Sequence, residues 1–503
     1  MIRVGDAARA PAFPVAARRA LGNAQLRRNV RHATDVIRNK RAVVVAEMSD
    51  WQDLRESAHE IKDHVLQHLD VYLEQFEDNC TRAGGRVHWA RDADEANRIV
   101  IDIIHGHHER EIIKVKTMTS DETGLNAALE AAGIVPYETD LADLIIQLGA
   151  DRPSHIVVPA LHMNRTEIRE LFQRTMKLAA LGPIGTDPQD LTNAARAFLR
   201  EKFLRVNVGF SGANFAIADT GSVCVVESEG NGRMCLTLPK ILISLVGVEK
   251  IIPAFGDLEV FLQLLPRSAT GERMNPYNSI WTGIRGGDGP QEFHVVLLDN
   301  GRTTVLADEQ SRETLDCIRC GACLNACPVY RQTGGHAYGS IYSGPIGAIL
   351  TPQLQSMQHS TSLPYASSLC GACYEACPVK INIPEILIHL RRRIVEEQGG
   401  PLGERLLMKA AALAFADSSR LSIAQKLARA AQWPFKRGGQ LSTLRGPLAA
   451  WTASRDLPAV PAESFRDWWK RRRLERGAGG KPGEAGPPSE SERGWGPASR
   501  EKR

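Results

Sequence analysis

Seven of the chain's ten cysteines fall in two short runs whose spacing suits metal-bound thiolates. Cys317, Cys320, Cys323 and Cys327 follow C-x2-C-x2-C-x3-C, with Pro328 next. Two-residue loops let three thiolates wrap three corners of one iron–sulfur cubane, Gly321 permits the tight turn, and the fourth cysteine of such a run reaches a different cluster. The proline ends the run and redirects the chain. The second run has Cys370, Cys373 and Cys377, followed by Pro378. Superposing the two prolines matches Cys377 with Cys327, Cys373 with Cys323 and Cys370 with Cys320, and "CGAC" is common to both. Opposite Cys317 stands Ser367.

The crossed pattern assigns Cys317, Cys320, Cys323 and Cys377 to one [4Fe–4S] cluster. It leaves Cys327, Cys370 and Cys373 for a second, which has three thiolates only. Three arrangements compete there: a cubane whose fourth iron takes Ser367, another side chain or solvent; a [3Fe–4S] cluster; or no second cluster, which would leave several closely spaced thiols without a role. Zinc ribbons use two C-x2-C pairs and need neither a third cysteine nor the C-x3-C-P ending. A disulfide scaffold would be small and secreted; a long chain with tight C-x-x-C spacings points instead to a reducing cytoplasmic setting. Two clusters tied by crossed ligands sit close together and suit a relay of single electrons.

Several elements must position these runs. The spacer between them contains "GPIGAILTPQL", which reads as a helix, and it is longer than in compact ferredoxins. The arrangement resembles the α-helical ferredoxin module of oxidoreductase iron–sulfur subunits. Residues 305–400 form this cluster region, where strand signals vanish. Residues 45–304 read as an α/β domain. "EMSDWQDLRESAHEIKDHVLQHLDVYLEQFEDNC" has helical spacing throughout. "RIVIDIIHGH", "EIIKVKTM", "SHIVVPAL", "VNVGFSG", "SVCVVESE", "LISLVGV" and "FHVVLLDNG" read as buried strands of a mostly parallel sheet. "DETGLNAALEAAG" reads as one helix closing at Gly133. Residues 401–476 give two helices and a looped piece with Trp433, Trp451, Trp468 and Trp469. Residues 477–503 cannot bury a core and are expected to be disordered.

Composition excludes several classes. With 503 residues and 43% hydrophobic content the chain holds two to four domains. A net charge of only +4 gives no argument for nucleic acid. No run approaches the eighteen apolar residues of a transmembrane helix. Residues 1–44 are basic but lack the apolar core and cleavage site of a secretory signal; a solvated lead-in is preferred over a transit peptide. Residues 378–503 carry 24 Lys and Arg against 13 Asp and Glu. That asymmetry suits docking to an acidic partner or peripheral contact with an anionic membrane, and equally suits solvated helix faces.

The α/β domain shows no G-x-G-x-x-G after a strand, no G-x-x-x-x-G-K-[ST] and no G-x-S-x-G. A hydride- or flavin-binding step is therefore not visible in it, and the chain needs at least one redox partner. "SGANFAIADTGSVCVVESEGNGR" is punctuated by Gly209, Gly212, Gly221, Gly230 and Gly232. It offers Asn214, Asp219, Thr220, Glu229, Asn231 and Arg233 for a polar pocket at strand ends. Lys114, Lys116, Glu138 and Asp140 add to this set, as do His155, His162 and Arg165. Turns, helix caps and ordinary loop histidines are the competing reading of each.

Five stretches together are specific: "KTMTSDETGLN", "YETDLADLIIQL", "PSHIVVPALH", "GANFAIADTGSVCVVESEGNGR" and "CIRCGACLNACPVYRQTGGHAYGSIYSGPIG". With the C-terminal "DLPAVPAESFRDWWKRR" they resemble the lactate utilization protein B family over residues 15–475. The resemblance implies a LUD domain of NagB/RpiA/CoA-transferase-like fold, a two-cluster ferredoxin-type domain, and the electron-transfer subunit of an L-lactate-oxidising system that works with lactate utilization proteins A and C. It also implies that seven cluster cysteines, with Ser367 in place, are the family's pattern. The electron acceptor stays unidentified. Two rivals remain: a relay for another 2-hydroxy acid such as glycolate, and a ligand-binding or redox-sensing LUD protein.

Overall fold

Short apolar runs buried on both faces dictate the central sheet. A computed structural model describes residues 10–176, 182–399, 402–444, 449, 452 and 455–477. Among the described residues, ten strands lie between residues 86 and 298: β1 (Arg86–Ala90), β2 (Glu111–Lys114), β3 (Val135–Glu138), β4 (Val208–Ser211), β5 (Phe215–Ile217), β6 (Ser222–Glu227), β7 (Ile241–Gly247), β8 (Ile251–Ile252), β9 (Tyr277–Trp281) and β10 (Glu292–Leu298). Six form an all-parallel sheet in the order β1-β10-β7-β4-β2-β3. Along β10, Val296 and Leu298 enter the core shared with helix Ala93–Gly106, while Val295 and Leu297 enter the opposite core with Phe172, Leu199 and Phe203. Both faces are covered, so β7 is apolar nearly end to end and fully buried. The other four strands make a smaller mixed sheet, β8-β5-β6-β9.

The chain divides into two compact units after Gln398. In the first, one core runs from Phe215, Ile217 and Phe261 through Ile156 to Ile318, Leu324, Ile349 and Leu387. The α/β part and the cysteine region are thus packed as one body. The spacer helix is Gly344–Leu354, as the sequence suggests. In the second unit, Asp417 accepts from Ser419 N and Arg420 N and caps helix Ser418–Ala431, which follows helix Leu402–Phe415. A short three-stranded sheet and helix Phe465–Gly477 complete it.

Several sequence expectations change. "RIVIDIIHGH" belongs to helix Ala93–Gly106: Ala96, Val100 and Ile104 are buried at four-residue spacing, a helical face. "SHIVVPAL" forms turns rather than a strand. The long helix breaks at His68 into Trp51–Gln67 and Leu69–Arg82. Gly124, in the left-handed region at φ 66°, splits the expected single helix into Met118–Thr123 and Leu125–Ala131. Trp468 and Trp469 lie on helix Phe465–Gly477 rather than in a loop; Trp451 and residues 478–503 lie outside the described residues. The basic lead-in is not simply solvated. Its described residues fold as helices Phe13–Gly22 and Ala24–Ala46, and the Phe13 ring lies tilted against Tyr338 with ring centroids 4.9 Å apart.

Candidate iron–sulfur centre and adjoining cleft

Each cysteine run turns on a left-handed glycine. Gly321 (φ 71°) opens the five-residue helix Ala322–Ala326, and Gly371 (φ 82°) opens its counterpart Ala372–Ala376. A side chain at either position would strain the turn. The two short helices pack together, and Cys317, Cys320, Cys323 and Cys377 line a single cavity walled by Ile156, Ile318 and Ile346. The last cysteine of the second run therefore joins the first three of the first. Cys327, Cys370 and Cys373 are electrostatic neighbours of one another. None of the ten cysteines is in a disulfide.

The donor set suits iron–sulfur clusters. Burial pushes the Cys320 thiol up to about 12 and Cys373 to about 11, and raises Cys323 and Cys377 as well; neighbouring thiols add to each. Soft thiolates so reluctant to ionise alone need a bound cation, and a coordinating metal deprotonates them outright. Backbone amides face the sulfurs: Arg319 N donates to Cys317 Sγ (3.4 Å) and Tyr330 N to Cys327 Sγ (3.5 Å). Cys370 is exposed, unlike its partners. Half-buried Ser367 accepts from Leu369 N (3.1 Å) through its hydroxyl. Cys80, Cys224 and Cys235 are core residues whose thiols burial pushes up, Cys80 and Cys224 to about 12.

A buried charge network ties the α/β part to the cysteine loop. Glu249 accepts from Arg319 Nη2 (3.0 Å) and from Arg302 Nε, and Lys62 donates to its carbonyl. Arg302 grips Glu122 with two bonds of 2.8 and 2.9 Å, and Tyr342 OH donates to Glu122 at 2.6 Å. Burial pushes the Glu249 carboxyl up, but Arg302 and Arg319 outweigh it and hold the group at about 2.

At the carboxyl ends of β2, β4 and β6 lies a cleft of about 230 Å³ that reaches the cysteine loop. Lys116, Asp140, Asn214 and Glu229 line it, and so do Lys250 and Arg319. A Cβ on Gly212 would sit 2.2 Å from Thr117 Oγ1, so only glycine lets the β4 end approach the β2 loop. Lys116 Nζ is 3.4 Å from Asp143 Oδ1. Asp140 accepts from Lys116 N (2.8 Å) and Asn231 Nδ2 (2.7 Å); burial, with Glu229 adding, pushes its carboxyl up to about 7. Burial beside Arg319 lowers the Lys250 ammonium to about 7.

Other candidates fall elsewhere. Lys114 and Glu138 form a buried 2.7 Å ion pair that holds the β2–β3 edge together, outside the cleft. Arg233 is exposed, over the Tyr277 ring, and Arg165 is exposed at a helix start. Asp219 accepts from Phe255 N, and with Thr220 it forms the β5–β6 turn. Gly209, Gly221 and Gly232 admit closely packed protein atoms, and Gly230 begins helix Asn231–Thr237. His162 pairs with Ser154 Oγ and Asp151 Oδ2, both at 2.8 Å, and the latter bond holds the Asp151 carboxyl down to about 2. His155 is buried against the cysteine loop: its Nδ1 accepts from Val157 N (3.0 Å) and Val158 N (3.1 Å), so Nε2 carries the proton toward Asn325 Oδ1 (3.1 Å). Lys250 and Arg319 escape sequence reasoning because "GVEKIIP" resembles a strand end and "CIRC" a spacer; no local pattern marks either.

The LUD domain family matches residues 73–298, the 4Fe-4S dicluster domain residues 313–381, and the lactate utilisation protein B C-terminal domain residues 390–474. The chain is 46% identical to lactate utilization protein B of Bacillus licheniformis over 91% of its own length and 96% of that protein's. It is 44% identical to lactate utilization protein B of Bacillus subtilis, over 92% and 96% of the two chains. A crystal structure of a DUF162 family protein from Deinococcus radiodurans aligns with 46% of this chain and 98% of that one, at 13% identity and a TM-score of 0.26, too low to bear on the fold. Identity at this level along nearly the full length, with the three domain matches in order, shows that the chain belongs to the lactate utilization protein B family.

Proposed function

We propose that the chain is the iron–sulfur electron-transfer subunit of a cytoplasmic system that oxidises L-lactate to pyruvate. The observation that carries this reading is the meeting of Cys377 with Cys317, Cys320 and Cys323 around one cavity, which ties the two cysteine runs into one unit. The relatives' name, lactate utilization protein B, supplies the substrate. When bound, two clusters accept and donate single electrons. Cys317, Cys320, Cys323 and Cys377 hold one [4Fe–4S] cluster; Cys327, Cys370 and Cys373 hold the second, as a [4Fe–4S] cluster with a non-cysteine corner or as [3Fe–4S]. The chain's own residues exclude water with an apolar wall, aim backbone amides at the sulfurs, and lock the cysteine loop to the α/β part through Arg319 and Glu249.

Lactate utilization proteins A and C are the partners in this reading. One of them removes hydrogen from the substrate, and an acceptor outside the three takes the electrons. Residues 45–304 act as the LUD domain, 305–400 as the cluster domain and 401–476 as a C-terminal segment. The parallel sheet with helices on both faces supports a NagB/RpiA/CoA-transferase-like LUD fold. Among the described residues no helix is long and apolar enough to cross a membrane. The test is anaerobic mixing of the three proteins with L-lactate while cluster absorbance is followed. Lactate-dependent bleaching is expected, and its absence overturns the reading. Replacing lactate by glycolate separates the two acids.

A further inference from the structure

The cleft beside the cysteine loop contains a cation that no carboxylate among the described residues bonds: its electrostatic neighbour Glu249 is bonded to Arg302 and Arg319. Lys250 is 8% exposed, lines the cleft, and makes no hydrogen bond or ion pair among the described residues. Burying an ammonium without a partner is costly. Every other cation at the cleft is engaged: Lys116 lies by Asp143, and Arg319 is bonded to Glu249. We propose that this cleft binds the carboxylate of a small organic acid, with Lys250 as its charge partner, directly beside the cluster-holding loop.

Three features select the ligand class. The cation without a bonded partner is a single one, which matches a monoanion. The lining also carries Asp140, Glu227 and Glu229, so a dianion such as phosphate would meet carboxylates as well as the ammonium. Val157, Ala213, Leu265 and Ala269 also line the cleft and supply apolar surface suited to a short carbon body. The volume, about 230 Å³, is below the roughly 300–1,000 Å³ of sites for drug-sized ligands. Asn214 and Thr270 add polar side chains to the lining.

The position also makes the ligand visible to the redox centre. Arg319 lines the cleft, and its backbone N donates to Cys317 Sγ (3.4 Å). Ile156 lines both the cleft and the cavity of Cys317, Cys320, Cys323 and Cys377. A bound carboxylate therefore adds a negative charge next to the four-cysteine centre, in a low-dielectric setting where charge is weakly screened. The choice of lactate and pyruvate as probes rests on the function proposed above; the charge chemistry of the cleft does not.

The experiment is calorimetric titration of the cluster-loaded full chain with L-lactate, pyruvate, acetate and inorganic phosphate, with electron paramagnetic resonance spectra of the reduced protein recorded at saturation. At least one organic acid should bind, and phosphate should not. Lys250→Met should raise the dissociation constant at least tenfold at unchanged iron content, while Lys250→Arg keeps binding within a few-fold. The Lys250 ammonium makes no hydrogen bond among the described residues, so its replacement should not unfold the chain. Ala269→Leu, which fills the cleft without touching charge, should also abolish binding. The ligand should change the spectrum of one centre in the wild type and not in Lys250→Met. Phosphate binding in preference to every acid, or equal binding by wild type and Lys250→Met, overturns the proposal. Lactate-dependent electron transfer without carboxylate binding overturns it alone; carboxylate binding without lactate-dependent electron transfer overturns only the proposed function.

Discussion

Arg319 joins the two halves of the first unit: its Nη2 donates to Glu249 Oε1 at 3.0 Å, while its backbone N faces Cys317 Sγ at 3.4 Å. One residue thus belongs both to the cysteine loop and to the charge network at the end of the parallel sheet. Its guanidinium also sits over the Tyr342 ring, 5.0 Å from the centroid. The cysteine loop is positioned by a buried ion cluster and not by packing alone.

Glu249→Gln tests that cluster. The carboxylate is 1% exposed and answers Arg302 and Arg319 together. Removing its charge leaves Arg302 with Glu122 alone and Arg319 without its carboxylate partner. Breaking one partner of a buried pair costs about 3–5 kcal/mol. A denaturant midpoint shifted by that amount is expected, with reduced iron content; an unshifted midpoint would show that water answers the cations.

Crossed ligation predicts a crossed pattern of damage. Cys377→Ala should disturb the centre of Cys317, Cys320 and Cys323, 54 to 60 residues earlier in sequence. Cys327→Ala should disturb the centre of Cys370 and Cys373. Electron paramagnetic resonance of each reduced variant separates the two signals. Damage confined to each run's own sequence neighbours would refute the assignment.

The exposed corner should be the labile one. Cys370 is exposed whereas Cys320, Cys323 and Cys377 are buried. Ser367 already spends its hydroxyl on Leu369 N within its own turn. Mild oxidation should therefore remove iron first from the centre held by Cys327, Cys370 and Cys373, giving a three-iron signal. Ser367→Ala should leave that signal unchanged. A loss of the second centre in Ser367→Ala would make the serine a ligand.

His155 predicts the pH dependence of stability. Burial lowers its imidazole to about 4, and protonation at Nδ1 would break the bonds from Val157 N and Val158 N. The folded value lies below the unfolded one of about 6.5. The unfolded chain therefore takes up the proton first, so stability is full above about 6.5 and falls as pH drops toward 4. The slope approaches about 1.4 kcal/mol per pH unit in that window. His155→Gln should flatten thermal stability between pH 6.5 and 5 relative to the wild type, at a constant cost above it.

How much was legible follows from range. The cysteine runs are readable because ligand spacing is local, and the proline alignment carries even the crossing. Strands β2, β4, β6, β7 and β10 are readable because both sheet faces are covered and their runs are continuously apolar. "RIVIDIIHGH" misleads for the same reason: an apolar helix segment packed on a sheet looks like a strand unless the four-residue spacing of Ala96, Val100 and Ile104 is weighed. The cleft is only half legible. Asn214 and Glu229 stand near glycines and Lys116 and Asp140 just past strands, whereas Lys250, from the turn before β8, and Arg319, from the cysteine loop, arrive through tertiary packing. Arg233 and Arg165 show the converse, polar residues in the right stretch that face solvent.

The N-terminal helices give the last prediction, because they reach the second cysteine run directly. From helix Trp51–Gln67, Arg55 donates through Nε to Cys377 O (2.9 Å) and through Nη2 to Tyr374 O (3.1 Å). From helix Ala24–Ala46, Arg41 donates to Ala376 O (3.1 Å). These guanidiniums take up the carbonyls that end helix Ala372–Ala376, groups a helix leaves without intrahelical partners. Cys377 is the cysteine that crosses to the first run, so its placement depends on a helix more than three hundred residues earlier. Arg55→Ala removes two charge-assisted bonds to a buried segment, each worth about 1.5–3 kcal/mol. The expected result is selective loss of the four-cysteine centre, with the three-cysteine centre retained in the resonance spectrum. Arg55→Lys, with one point charge in place of a planar fork, should restore only part of it. Equal loss of both centres would mean that the arginine supports the fold as a whole and not the position of Cys377.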